Sequence, residues 1–279
     1  MQVVTTAAEL AALSRAGTRA VVMTMGALHE GHLALVRQAR EVADQVVVTI
    51  FVNPLQFDDP EDLERYPRDL HADCALLEPE GVDVVYAPEV EDVYPGGDPL
   101  VTVSAGRLGE VFEGEHRPGH FDGMLTIVAK LLNLTQPDVA VFGHKDAQQL
   151  IAVRTMVRDL NLSVEVVGAP TVRDGDGLAR SSRNVHLTAE DRRQALSLFE
   201  ALQAAEANAQ QGADVTATLA AGSAVLAEHS DIAVNYFAAL DPVSAQAVDS
   251  DYRGEVVIAV AAHVGQTRLI DNVTTHIGG

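Results

Sequence analysis

Arg19–Leu33 reads R-A-V-V-M-T-M-G-A-L-H-E-G-H-L, and its two halves obey different periods. Arg19–Met25 is a short apolar run rich in β-branched residues, as in a buried strand. From Gly31 to Ala43, Leu33, Val36 and Ala39 fall on a helical period. Gly26 sits between the two. A strand, a glycine turn and a helix in immediate succession predict the first half of a β-α-β unit.

The same alternation continues outward. Gln45–Val52 is a second β-branched run, and Val82–Tyr86 follows a helical stretch ending near Glu80. Asp122–Leu134 is predicted helical, Val139–Phe142 a strand, Asp146–Asp159 a helix and Ser163–Val167 a strand. Repeated units of this kind imply a parallel sheet with helices on both faces. Such sheets bind ligands beyond the carboxyl ends of their strands. The loops at Gly26–Gly31, Asn53–Phe57 and Gly143–Asp146 are therefore expected to face one crevice.

Near residue 172 the pattern changes. Asp174–Gly177 (D-G-D-G) reads as a tight turn between short strands. Thr188 with Asp191 forms a capping-box signature. Helical stretches at 188–210 and 214–229 follow, then strand-like runs at Ile232–Leu240, Glu255–Ala262 and Arg268–Ile270. The expected fold is α/β: a Rossmann-like parallel-sheet domain over 1–171, with a smaller α+β C-terminal domain over 172–279.

Composition narrows the function classes. Apolar residues make up 47% of the 279, enough for a sizeable core, and no run approaches the roughly 18 needed to span a bilayer. The start M-Q-V-V-T-T-A-A-E-L lacks the pattern of a signal peptide. Cys74 is the single cysteine, which excludes an intrachain disulfide and a Cys-based metal site, and fits a reducing cytoplasm. With 19 basic and 40 acidic residues the net charge is −21. That balance disfavours nucleic-acid partners. It also demands that any anionic ligand meet positive groups concentrated locally.

Five segments carry chemistry. In Met25–Leu33 (M-G-A-L-H-E-G-H-L), His29 and His32 open a helix directly after a strand. Helix N-termini bind phosphate, and imidazole donors can follow charge developing on phosphoryl oxygens. The spacing is not the H-E-x-x-H of zinc hydrolases; a plain helix cap is the simpler alternative. In Phe51–Phe57 (F-V-N-P-L-Q-F), Asn53 and Gln56 are neutral amides, suited to a small hydroxy acid. Glu113–Phe121 (E-G-E-H-R-P-G-H-F) gathers His116, Arg117 and His120, as an anion-binding or ordinary surface loop. In Phe142–Leu150 (F-G-H-K-D-A-Q-Q-L), Lys145 stands where a strand meets a helix, with Asp146 and Gln149 on one side of that helix. Leu178–Asn184 (L-A-R-S-S-R-N) clusters two hydroxyls with Arg183, donors suited to a triphosphate. Of the 19 basic residues, 17 are Arg and only Lys130 and Lys145 are Lys; a general bias toward Arg accounts for the average position, while a lysine that persists points to a place where Arg will not serve.

Together and in order, these segments resemble the pantoate–β-alanine ligase (pantothenate synthetase) family from about residue 20 to 190. That family is similar in fold to class I aminoacyl-tRNA synthetases, with Arg180, Ser181, Ser182 and Arg183 at the place of their K-M-S-K-S loop. The resemblance implies ATP contacts at Met25, Gly26, Ala27, Leu28, His29, Glu30, Gly31 and His32, with His32 as proton donor. It implies further ATP contacts at Gly143, His144, Lys145, Asp146, Val172 and Arg180–Arg183. Pantoate falls to Gln56 and Gln149, with Gln56 also near β-alanine, and Asn53 and Arg117 are expected to bind substrate as well. The catalytic set is His29, His32, Lys145 and Arg183. The family commonly has Glu where His144 stands and Met or Leu where Arg180 stands, which directs both positions to ATP through the backbone. A cytoplasmic homodimer using Mg²⁺, with 172–279 as a lid and metal ligands left unassigned, completes what the resemblance implies. The expected reaction joins pantoate to β-alanine through a pantoyl adenylate. A nucleotidyltransferase with another acceptor is disfavoured by the uncharged Gln56 and Gln149. A nucleotide-binding module without turnover is separated from a ligase by product formation.

Overall fold

The computed structural model describes residues 1–58 and 60–278. The chain divides into two compact units, Met1–Gly143 with Ala152–Ala169, and His144–Ile151 with the chain from Pro170 onward. The boundary thus lies two residues before the expected one, and the segment 144–151 belongs with the second unit.

The first unit runs β1 (Gln2–Val4), α1 (Ala7–Ala12), β2 (Arg19–Thr24), α2 (Glu30–Val42), β3 (Gln45–Ile50), α3 (Pro60–Arg65), α4 (Leu70–Leu77), β4 (Val84–Tyr86), α5 (Val90–Val93), α6 (Glu113–His116), α7 (His120–Thr135), β5 (Val139–Gly143), α8 (Ala147–Asp159) and β6 (Glu165–Ala169). The first turns of α8 belong to the second unit by contact. The six strands form one parallel sheet in the order β1-β4-β3-β2-β5-β6. Strand order reverses between β2 and β5, which pair in parallel, so their carboxyl ends lie side by side within this unit.

Both faces of the sheet are covered. Ala20, Val22, Val46, Val48, Val139 and Val141 pack against Leu33, Val36 and Ala39 of α2. Val21 and Val47, pointing the other way, are also fully buried. A buried Val or Leu contributes about 1.5–3 kcal/mol, which makes this continuous apolar sheet the rigid base for its loops.

The second unit carries α9 (Ala189–Gln210), α10 (Val215–Ala227), β7 (Ile232–Leu240), β8 (Gly254–Val264) and β9 (Thr267–Ile277). The last three strands form an antiparallel sheet in the order β7-β8-β9. Leu198, Leu202 and Ala205 of α9 pack on Val256, Ile258 and Val260 of β8. Thr188 caps α9 as its sequence predicts: its hydroxyl accepts from the Asp191 N–H, and the Asp191 carboxylate accepts from the Thr188 N–H. The turn at Asp174–Gly177 is also present, with Gly177 at φ +99° and an antiparallel bridge between Arg173 and Ala179. Strand β9 extends seven residues beyond its expected end at Ile270, because its pairing with β8 continues through the polar pair Asp271 and Asn272.

Candidate active site

The turn after β2 is built around a buried carboxylate. Gly26 adopts φ +84°, where a side chain is strained, and a Cβ there would lie 2.9 Å from Asp73 Oδ2. Asp73, on α4 and 4% exposed, accepts from the N–H of Ala27 at 3.1 Å and of Leu28 at 2.8 Å. Burial pushes its pKa above the ordinary value, against the pull of these two backbone donors. Sequence reading missed Asp73, because a contact spanning some 45 residues leaves no local pattern.

His29 and His32 sit at the start of α2 with ring centroids 4.2 Å apart. His29 Nδ1 accepts from the Gly31 N–H at 3.1 Å, and His32 Nδ1 accepts from the His29 N–H at 3.3 Å. The histidines therefore do cap their helix. The cap also has a chemical consequence: a neutral imidazole accepting at Nδ1 carries its proton on Nε2. Both rings are thereby set as Nε2 donors.

The amide loop lies against this turn. Pro54 opens a 3₁₀ turn over Pro54–Gln56, packed on α7 where a Cβ at Gly123 would lie 2.1 Å from the Leu55 carbonyl oxygen. Asn53, 1% exposed, donates from Nδ2 to Gln56 Oε1 at 3.0 Å and to the Gly123 carbonyl at 3.1 Å. Its Oδ1 accepts from the Tyr94 hydroxyl at 2.9 Å. With Oε1 occupied as acceptor, Gln56 donates from Nε2 to Met25 Sδ at 3.2 Å. Tyr94, absent from the sequence candidates, thus orders the chain of amides. Burial raises its pKa well above the phenolic range, so it stays a donor.

Arg117 and His120 are found behind this loop. His120 Nδ1 lies 2.8 Å from the Gln56 carbonyl oxygen, to which Arg117 Nη2 donates at 3.3 Å; Arg117 also pairs with Asp58 at 3.5 Å. These contacts fix the backbone of Gln56. Of the sequence candidates, Met25–His32, Asn53, Gln56 and Arg117 are therefore brought together in the first unit.

Gly143 ends β5 in the first unit, and the second unit holds the rest. Lys145 and Asp146 lie in a 3₁₀ turn, His144–Asp146, with Lys145 Nζ 3.6 Å from Asp146 Oδ1. Gln149 is partly buried in the first turn of α8. The Arg180 N–H donates to the Val172 carbonyl at 2.9 Å, joining two expected ATP contacts in one short pairing. The Arg180 side chain pairs with Asp174 at 2.8 Å. Ser181 caps the 3₁₀ turn Ser182–His186, accepting from the Arg183 N–H at 3.2 Å. Among the described residues, no group of three or more His, Cys, Asp or Glu is placed to hold a metal ion, and no helix is long and apolar enough to cross a membrane.

Residues 2–274 match the family model described as pantoate-beta-alanine ligase. Among curated relatives, a pantothenate synthetase of Thermobifida fusca is 55% identical over 96% of this chain and 93% of its own. One from Streptomyces avermitilis is 49% identical over 98% and 97%. The fold is similar to the crystal structure of pantothenate synthetase from Thermus thermophilus, with TM-score 0.92 and 49% identity over 98% of this chain and 99% of that one. It is also similar to a pantoate-beta-alanine ligase from Francisella tularensis complexed with beta-gamma ATP and beta-alanine, with TM-score 0.79 and 31% identity over 98% and 97%.

Proposed function

Because the chain belongs to the pantoate-beta-alanine ligase family and performs the ATP-dependent condensation of pantoate with β-alanine, we propose that it does so in two steps through residues of stated roles. In the first, the pantoate carboxylate attacks the α-phosphorus of ATP, and pyrophosphate leaves. In the second, the β-alanine amine attacks the acyl carbon of the pantoyl adenylate, and AMP leaves. The observation that supports this reading best is the 3.2 Å contact between Gln56 Nε2 and Met25 Sδ. It sets the amide that suits a hydroxy acid against the turn that suits a nucleotide.

In this reading the backbone of Met25–His32 receives ATP, and the Nε2 protons of His29 and His32 meet charge developing on the phosphate oxygens. Gly143–Asp146, Val172 and Arg180–Arg183 serve the nucleotide as well, with Lys145 and Arg183 as cations for the leaving pyrophosphate. Gln56 and Gln149 take pantoate, and Asn53 and Arg117 hold Gln56 in place. A Mg²⁺ bound with the phosphates would supply neutralisation of their charge. Such an ion needs only one or two protein carboxylates, and the half-exposed Asp146 beside Lys145 is a suitable donor. The reading keeps a homodimer in the cytoplasm, with 172–279 as a lid.

The test is isotope exchange of pyrophosphate into ATP, with pantoate present and β-alanine left out. Pantoate-dependent exchange is expected. Exchange that appears only after the amine is added overturns the adenylate intermediate.

A further inference from the structure

The 3₁₀ turn that carries Lys145 is held by a residue far away in sequence. Asn272, on β9 and 6% exposed, donates from Nδ2 to the His144 carbonyl at 2.9 Å and to the Lys145 carbonyl at 2.8 Å. One amide nitrogen has two protons, and both are spent on adjacent carbonyls of one turn. The neighbouring Asp271 anchors the same strand. Its carboxylate takes Arg173 in a bidentate pair at 2.5 and 2.9 Å and also accepts from the Asn272 N–H at 2.8 Å. Arg173 lies 3.7 Å from the centroid of Phe199 and donates to the Gly177 carbonyl at 3.2 Å. The Asp174–Gly177 turn leads directly into Arg180–Arg183.

We infer that Asn272 is a positioning residue for adenylate formation: it fixes the backbone of 144–146 and so the place from which Lys145 reaches the phosphates. The inference rests on the reading of Lys145 given above. It follows from geometry and from the economy of buried donors. A turn leaving a parallel strand has carbonyls that point away from the sheet ladder, and they need partners when shielded from water. Asn272 supplies them from the other sheet of the protein. In an in-line displacement, misplacing a catalytic group by about 1 Å can cost roughly a hundredfold, so the rigidity of this turn is a kinetic property.

The sharpest variant is Asn272→Asp, which keeps the shape and replaces the two donors with an oxygen facing two carbonyl oxygens. Single-turnover formation of pantoyl adenylate is expected to slow by about 10- to 100-fold, with the KM for pantoate within about twofold of the parent. Should that variant fail to fold, Asn272→Ala removes both donors without adding charge, and about a tenfold loss is expected. Asp271→Asn is the structural control. It weakens the Arg173 pair and lowers Tm but leaves the Asn272 amide in place, so adenylation should slow by less than about threefold. If Asp271→Asn slows the step as much as Asn272→Asp at a similar loss of Tm, Asn272 acts through stability alone and the inference is overturned. Lys145→Ala separates this inference from the reading beneath it. A slow Lys145→Ala with Asn272→Asp at the parental rate sinks the positioning role only; a parental rate in Lys145→Ala sinks the reading of Lys145 and this inference with it.

Discussion

Replacing Tyr94 by Phe removes one oxygen atom and tests whether the amide loop is an ordered device. The hydroxyl donates to Asn53 Oδ1 at 2.9 Å, and both residues are almost fully buried. Without it, an acceptor is stranded away from water, at a cost of about 1–3 kcal/mol in stability. The functional effect is separate. Asn53 now lacks the partner that points its Nδ2 at Gln56 Oε1, and Gln56 is released to rotate its amide. If pantoate thereby loses one neutral hydrogen bond from Gln56 Nε2, about 0.5–1.5 kcal/mol is forfeited, or roughly a two- to thirteenfold rise in KM. The KM for ATP should stay within about twofold. Steady-state rates with each substrate varied in turn give both numbers, and a melting curve gives the stability cost. Because burial holds the Tyr94 hydroxyl protonated well beyond its ordinary range, the parent should show no break in pantoate KM from this group on the alkaline side. A variant that loses Tm but keeps its pantoate KM, or whose KM for ATP rises equally, refutes the argument.

Three further outcomes are expected. Asp73→Ala frees the N–H groups of Ala27 and Leu28 and should slow pyrophosphate exchange at least about tenfold, the loss expected when a nucleotide turn drifts by under about 1 Å; parental exchange rates would return Asp73 to a purely structural part. Lys145→Arg keeps the charge but swaps a compact ammonium for a planar fork, so ATP should bind nearly normally while adenylation slows roughly a hundredfold. Lys130→Arg keeps a cation over the Tyr94 ring, now 5.7 Å from its centroid, and should react within about twofold of the parent; a slower Lys130→Arg than Lys145→Arg would mean the wrong lysine was chosen. Asp138 is held below its ordinary carboxylate value, first by the Arg19 N–H and then by Arg15. A depressed folded-state pKa stabilises above the unfolded value of about 3.9 and loses that contribution as pH falls through the folded value. Asp138→Asn should therefore lower Tm at pH 7 and progressively less below pH about 4, and a Tm difference constant with pH would count against the assignment.

What was legible in the sequence follows from range. The strands β2, β3 and β5 are continuous apolar runs, and the caps at Thr188 and His29 depend on residues three apart. Strand β1 was not readable: it is three residues long with only Val4 buried, and it exists because β4 offers it a parallel edge. The short helices α3, α5 and α6 are similarly below the length at which periodicity speaks. Lys130 read as a plain helical lysine, yet its ammonium stands over the ring that orders Asn53. Asp73, Tyr94 and Asn272 were invisible for one shared reason. Each acts on backbone or amide groups between 41 and 128 residues away, and no local spacing encodes that. Strand β9 shows the same limit from another side. Its apolar run stops at Ile270, so the reading ended where the polar pair that matters most begins.

The charge of the protein raises a problem that the structure helps to resolve. A chain at −21 must bring together ATP and a carboxylate, and its arginines at first look like the means. Many of them are committed elsewhere. Arg37 pairs with Glu30 and Glu80, Arg40 with Asp83, Arg173 with Asp271, and Arg180 and Arg192 with Asp174. The loop assigned to pantoate presents amides, and Arg117 reaches its backbone from behind. For a carboxylate that must act as a nucleophile this is chemically apt. A bidentate guanidinium would bind the ground state tightly through the same oxygens that attack phosphorus, and uniform or ground-state binding does not raise the rate of the chemical step. A neutral Nε2–H orients the acid and leaves its electron density in place. Positive charge is then useful where negative charge grows during reaction, on the phosphate oxygens, which is where the reading places His29, His32 and Lys145.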